Sequence, residues 1–240
     1  MPRLSPHLAV APLVLALGFA ASNAAADEPA PPASAPSTLP PAPDPITVEL
    51  GARAGFGYRI GQGPSFPITD RFGGVFGLGL AVAPWSRAAI TLGWERSGAG
   101  TEHGQGDLAD VEVSRSLDVI WAGVRLFLVR NESFGLLVQL GPGLAFQHAN
   151  ADVLVYPGAG GQASAFRCRE SGGPGLALRA GLGVEAHISG PVWFTTDAVI
   201  DHANLSSGAL GDCVPGVGSL STFGLRFGLV YRVDVSRWLR

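Results

Sequence analysis

The sequence predicts an all-β chain: an eight-stranded antiparallel up-and-down barrel that spans a membrane. Three observations carry that reading. The composition is rich in apolar residues and glycine but poor in charge, eight segments alternate with a period of two, and the connections between them alternate short and long. The 240 residues are 47% hydrophobic and 15% charged, with 34 Gly, 19 Pro and a formal net charge of −3; mean hydropathy is +0.28. Such a chain is too apolar to stay disordered, and without a basic excess or a basic run it is not expected to bind nucleic acid.

Residues 1–26 have the three parts of a secretory signal: a short start with Arg3, an apolar run from Leu8 to Ala21, and Ala24-Ala25-Ala26 before Asp27-Glu28. Cleavage is expected after Ala26. No cysteine follows the apolar run, so no lipid anchor is expected there. Residues 27–45 hold eight Pro and four Ala, too much proline for helix or strand, and read as an extended tether. The barrel is assigned to residues 46–240.

The first segment sets Val48, Leu50, Ala52, Ala54, Phe56, Tyr58 and Ile60 on one face and Glu49, Gly51, Arg53, Gly55, Gly57 and Arg59 on the other. Segment two, about 72–85, opposes Phe76, Leu78, Leu80 and Val82 to Gly77, Gly79 and Ala81. Segment three, about 88–97, opposes Ile90, Leu92 and Trp94 to Thr91, Gly93 and Glu95. In segment four, about 111–129, Ile120 to Leu128 share a face against Trp121, Gly123 and Arg125. Segment five, about 134–148, sets Leu136, Val138, Leu140, Leu144 and Phe146 against Gln139, Gly141, Gly143 and Gln147.

Segment six, about 175–188, is the clearest, with Leu176, Leu178, Ala180, Leu182, Val184, Ala186 and Ile188 against Arg179, Gly181, Gly183, Glu185 and His187. Segment seven, about 192–203, opposes Phe194, Ala198 and Ile200 to Trp193, Asp197 and Asp201. Segment eight, about 222–233, opposes Phe223, Leu225, Phe227, Leu229 and Tyr231 to Gly224, Arg226, Gly228 and Arg232. One face is greasy throughout; the other carries glycine and a few charges, too little polarity for a solvated sandwich surface. A lipocalin-like barrel would place its apolar face inward. The connections after segments two, four and six are tight, and the other four are long.

Eight strands close around an interior that side chains can fill. The expected lumen network is Arg53, Arg59, Arg125, Arg179, Arg226 and Arg232 against Glu49, Glu95, Glu185, Asp197 and Asp201. A three-residue turn at 189–191 would place Arg179 opposite Asp201 and Gly183 opposite Asp197. The network reads as a salt-bridged plug, with the lining of a narrow polar path as the alternative. Inward glycines are expected to let the tightly curved wall bend and to leave room for arginine. Cys168 and Cys213 fall in long loops, where an oxidising compartment favours a disulfide that would contribute about 3–4 kcal/mol.

The chain resembles the eight-stranded outer-membrane barrel superfamily typified by the OmpA transmembrane domain. The resemblance covers residues 46–234 and rests on strand count, loop asymmetry, the signal segment and the last strand, LRFGLVYRV. One departure is that the chain runs seven residues past that strand, through Asp234 to Arg240. The resemblance implies a Gram-negative outer-membrane monomer, contacts with outer-membrane lipid, handling by the barrel-assembly machinery, and a structural or surface-interaction role through long outer loops. A cell-wall or extracellular partner, a narrow pore or, as a second alternative motivated by the rim histidines, an outer-membrane lipid-modifying enzyme would fit the same scaffold.

No cofactor, metal or catalysis is expected. His187-Ile188-Ser189 has the H-x-S spacing of outer-membrane lipid deacylases, but it lies at the wrong end of segment six. His148 and His202 sit at outer strand ends, with no outward carboxylate evident to orient either ring. Glu102, His103, Asp107 and Asp110 form a loop cluster whose spacing matches no known cation loop. Gly181 to Ala186 fits G-x-G-x-x-A but lies within a strand.

Overall fold

The computed structural model describes residues 45–61, 66–106, 109–156, 162–210 and 214–236. The signal segment, nearly all of the tether, Asp107, Cys213 and the last four residues therefore lie outside the described residues. Eight long strands form the wall: β1 (Thr47–Ile60), β2 (Phe72–Trp85), β3 (Ala88–Gln105), β4 (Ala109–Arg130), β5 (Phe134–Val155), β6 (Ser164–Ser189), β7 (Val192–Asn204) and β8 (Ser219–Asp234). Each pairs antiparallel with its chain neighbours, and β1 pairs with β8 from Thr47↔Asp234 to Ile60↔Ser221, so the ring closes. Closure removes every edge whose backbone groups would otherwise stand unpaired, the condition for strands in lipid. Among the described residues there is no helix.

The period of two fixes the faces. Leu50, Leu78, Leu92, Val124, Leu140, Leu182, Phe194 and Phe227 are exposed on the outside, while Glu49, Thr91, Arg125, Gln139, Glu185, Asp197 and Arg226 are buried inside. One rim carries the tight connections Ser86-Arg87, residues 131–133 and Gly190-Pro191, and is called here the turn rim; both ends of the described barrel lie there. At the last of these turns the expected register holds, Arg179↔Asp201 and Gly183↔Asp197, but by a different route. The turn has two residues, and a register shift between His187 and Ser189 makes up the difference.

The opposite rim departs from expectation. The sequence pattern ends segments three, five and six near the apolar band, at about 97, 148 and 175, with long loops beyond; only segment four, taken from about 111, reaches into the projecting part. Instead β3 and β4 stay paired to Gln105↔Asp110, and β5 and β6 to Val155↔Ser164, so most of those loops are projecting β-hairpins. Along β4 and β5 the alternation continues with its chemistry exchanged, while β3 and β6 each reverse parity once, between Gly98 and Thr101 and between Gly172 and Gly175. Along β4, outward residues change from Ile120, Ala122 and Val124 to Asp118, Ser116, Ser114 and Glu112, while inward residues include Val113, Leu117 and Val119. A three-residue strand, Ile68–Asp70, adds to the side of β3.

Between β7 and β8 the chain turns inward. Ala209–Leu210 and Val214–Pro215 form a short ribbon whose Leu210 and Val214 are buried against Val113, Ala149 and Ala151. Gln147 Nε2 donates to the Ser206 carbonyl at 3.0 Å and Arg115 Nη1 to the Pro215 carbonyl at 3.0 Å. The connection is thus held as a cap in the mouth.

Glycine has two distinct uses in this wall. Gly123 on β4 and Gly141 on β5 bring their strands so close that a side chain on either would strike the other's backbone. Gly183 leaves the space that the Asp197 carboxylate occupies, and a side chain there would collide with it.

Candidate functional site

The lumen holds the charges expected from the sequence, gathered into separate clusters. Nearest the turn rim, Glu49 accepts from Arg125 at 3.2 Å and Arg232 at 2.7 Å, and Glu185 pairs with Arg125 at 3.6 Å and with Arg232. Arg53 reaches Asp197 at 3.1 Å. Next come Glu95 and Asp201, which share Arg179 and Arg226; Arg179 lies 2.9 Å from Glu95 and 2.7 Å from Asp201. With Arg59, described next, every residue of the expected network is paired.

Three members were missed. Arg130, read as a turn residue, joins the first cluster through Glu49 at 3.4 Å. Glu102, read as part of a loop cluster, is fully buried and takes Arg59 at 3.0 Å and Arg115 at 2.9 Å, forming a third cluster near the mouth. Continued alternation along β4 could have revealed Arg115, whereas a bulge between Gly98 and Thr101 reverses the parity of β3 and turns Glu102 inward. The placement of Glu102 in a loop is thereby corrected. His103 pairs with Asp110 at 3.1 Å, and no group suited to a metal occurs among the described residues.

An apolar stratum separates the second and third clusters. Ala99, Leu117, Val119, Trp121, Ala145, Ala177, Ala203, Leu205 and Leu220 form it. On β6 and β7 it begins two residues beyond the charges, at Ala177 after Arg179 and Ala203 after Asp201. Trp121 lies 4.8 Å beneath the Arg179 guanidinium, bridging charge and apolar layer by a cation–π contact. Nearer the turn rim, Ala81, Ala83, Ala89, Phe127 and Leu137 form another apolar group. A cavity lined by Glu49, Arg53, Gly79 and Arg125 has a volume of about 10 Å³, room for one water at most.

Outside the barrel, a polar belt sits directly above the apolar band at the hairpin rim. The reading that no outward carboxylate orients His148 is corrected by its geometry. His148 Nε2 lies 2.8 Å from Asp118 Oδ2, and His148 Nδ1 lies 2.8 Å from Ser171 Oγ. These residues stand on three adjacent strands, β4, β5 and β6, and His148 and Ser171 are register partners. Arg96 Nη1 lies 3.6 Å from the same Asp118 carboxylate. On β7 and β8, His202 Nδ1 meets Ser221 Oγ at 2.9 Å, with no carboxylate in contact among the described residues. His187 Nε2 lies 2.8 Å from the Gly190 carbonyl and its ring stacks near Trp193, so the H-x-S spacing assembles no site.

Cys168 lies on β6 in the projecting hairpin, not in a loop; Cys213 lies outside the described residues. Between the hairpins is a cleft of about 340 Å³ lined by His103, Asp110, Glu112, Asp152, Phe166 and Arg167. There the hydrogen bond to Asp152 raises the pKa of the exposed Arg167 guanidinium above its ordinary value.

Fold and faces define the class: an eight-stranded up-and-down β-barrel with apolar residues outward, the pattern of outer-membrane barrels. No family model matches the chain, and no curated protein matches it. Among solved structures it is similar to Ail, the attachment invasion locus protein of Yersinia pestis, at 17% identity and TM-score 0.41, over 79% of this chain and 99% of Ail. It is similar to the Neisserial surface protein A at 13% identity and TM-score 0.44, over 79% of this chain and 96% of that one. A major outer membrane protein from Thermus thermophilus matches at 13% identity and TM-score 0.45, over 78% of this chain and 99% of that one.

Proposed function

We propose that the chain is an integral, monomeric protein of a Gram-negative outer membrane, sealed along its axis, whose working surface is the hairpin rim. The observation that carries this reading is the apolar outer band joined to a filled interior. On β6 the band runs from Leu176 to Ile188, about 40 Å along the strand and about 30 Å in height at a tilt near 45°. Exposed aromatics mark both borders, Trp85, Phe134 and Tyr231 at the turn rim and Tyr58, Phe72 and Phe223 at the other. Short turns face the periplasm in such barrels, so the hairpins project outside the cell and the tether would lie in the periplasm.

Sealing is supported by the ionic clusters, the apolar stratum and the inward cap. A narrow pore is the second reading, favoured by buried polar atoms of Thr91, Gln139 and Thr195 that lack a protein partner. Planar-bilayer recording separates the two: purified protein is expected to give no single-channel steps, and stable steps would establish the pore. Membrane residence is tested by fractionation and by a heat-modifiable band on semi-native gels, and recovery as a soluble periplasmic protein would overturn it.

The hairpin cleft is the place for an extracellular partner and the tether for a cell-wall partner, and hairpin deletions that abolish surface binding would map the former. Disulfide pairing of Cys168 with Cys213 remains part of this reading, with a cross-linked peptide expected in non-reducing mass spectrometry.

A further inference from the structure

We propose that Asp118, His148 and Ser171 form a lipid-facing hydrolytic site that cleaves acyl esters of anionic lipids in the leaflet at the hairpin rim. The sequence favours a barrel without catalysis and offers a lipid-modifying enzyme only as a second alternative, with no site assembled for it. It rests on the reading that the apolar band is embedded in lipid.

The contacts supply the first argument. A hydroxyl is a poor nucleophile until a base takes its proton, and a neutral imidazole can do so only if its other nitrogen is held in the right tautomer. His148 touches Ser171 Oγ through one ring nitrogen and Asp118 through the other, both at 2.8 Å. The carboxylate in turn has Arg96 at 3.6 Å. Three rigid, paired strands hold the three side chains.

Location supplies the second argument. The next outward positions toward the turn rim are apolar: Ile120 below Asp118 on β4 and Phe146 below His148 on β5. The next ones away from the band are polar, including Asn150, which accepts from Arg169 at 2.9 Å. The site therefore stands at the level where a lipid's ester carbonyls separate its chains from its headgroup. Arg96 and Arg169 place cations on the same face, suited to a headgroup phosphate. On the outer wall, the small residues Pro142 and Ala180 lie among Leu140, Leu178 and Ile200 in a depression of about 460 Å³, a bed for an acyl chain.

The chemistry balances with water as the second reactant. Ser171 Oγ bonds to the ester carbonyl carbon as His148 takes its proton. The carbon–alkoxide bond breaks, and that proton passes to the departing alcohol of the lyso-lipid. Water, deprotonated by His148, then releases the fatty acid and restores Ser171. Ser171 and His148 are catalytic residues, and Asp118 is a positioning residue that acts through His148.

The test uses the full mature chain, first shown to be folded by its heat-modifiable band. A fluorophosphonate probe in micelles reads nucleophilicity without needing a bilayer. Fatty acid release, followed by mass spectrometry, is measured on phosphatidylglycerol vesicles and separately on lipopolysaccharide, which distinguishes the two sources of an ester beside a phosphate. Wild type is expected to carry the probe on Ser171 and to release fatty acid from at least one lipid. S171A and H148A should lose both by at least about 100-fold. D118N should lower kcat about 100-fold with KM little changed, and D118E should restore much of it. H187A, at the turn rim beside the Gly190 carbonyl and far from the proposed site, should match wild type. Folded protein that takes no probe and releases no fatty acid from either lipid, or S171A as active as wild type, would overturn the proposal. Failure of the membrane reading shows separately, as protein that does not insert into vesicles yet still labels at Ser171.

Discussion

The same strands build two regions with opposite chemistry. In the lower half of the barrel, leucine and phenylalanine face outward and arginine and glutamate face inward. In the projecting half, β4 and β5 turn Asp118, Ser116, His148 and Asn150 outward and Val113, Leu117, Ala149 and Ala151 inward. Neither strand breaks at the change, and parity is kept. The backbone needs only its hydrogen-bonded neighbour, while the surrounding medium decides which side chains each face can carry. Where the outer face is apolar the charges are gathered and paired within; where it is polar the interior is largely apolar around the single Glu102–Arg59–Arg115 cluster.

Substitutions can break this contrast, and the largest effect belongs to the lumen. Glu95→Ala removes the acid shared by Arg179 and Arg226 and is expected to destabilise the barrel by about 3–5 kcal/mol, read as reversible urea unfolding in lipid vesicles. Leu182→Arg, outward at the middle of the β6 band, should cost about 2–4 kcal/mol in the same assay. Ser114→Arg, also outward but on the projecting part of β4, should stay within about 0.5 kcal/mol of wild type. Last, Asp152→Ala loses an ion pair to Arg167 that is open to solvent and should leave the unfolding midpoint where it was. Equal costs for Leu182→Arg and Ser114→Arg would erase the distinction between the two regions.

The membrane half is legible in the sequence because its pattern is redundant: seven outward apolar residues in β6 alone fix strand, face and register, and Arg179↔Asp201 follows from one turn. The projecting half is not, because apolar outward residues are the mark by which a membrane strand is recognised. Once Asp118 and His148 replace Ile120 and Phe146, that mark ends while the strand continues. Arg115 is hidden for the same reason, and Glu102 for a further one: the bulge between Gly98 and Thr101 reverses the parity of β3. The contact between Asp118 and His148 is harder still. Asp118 stands opposite Phe146, so it meets His148 only on the diagonal, 30 residues away in the chain, and no local motif announces it.

On the proposed membrane reading the medium changes from lipid to water between Asp118 and Ile120. Nitroxide labels placed singly at Glu112, Ser114, Ser116, Asp118, Ile120, Ala122 and Val124, in a Cys168→Ser, Cys213→Ser background reconstituted in vesicles, measure this directly. Accessibility to a water-soluble nickel reagent should be high from residue 112 to 118 and fall sharply at 120, with oxygen accessibility rising in its place. High nickel accessibility along the whole of β4 would mean that no lipid surrounds the barrel, and the account would be wrong.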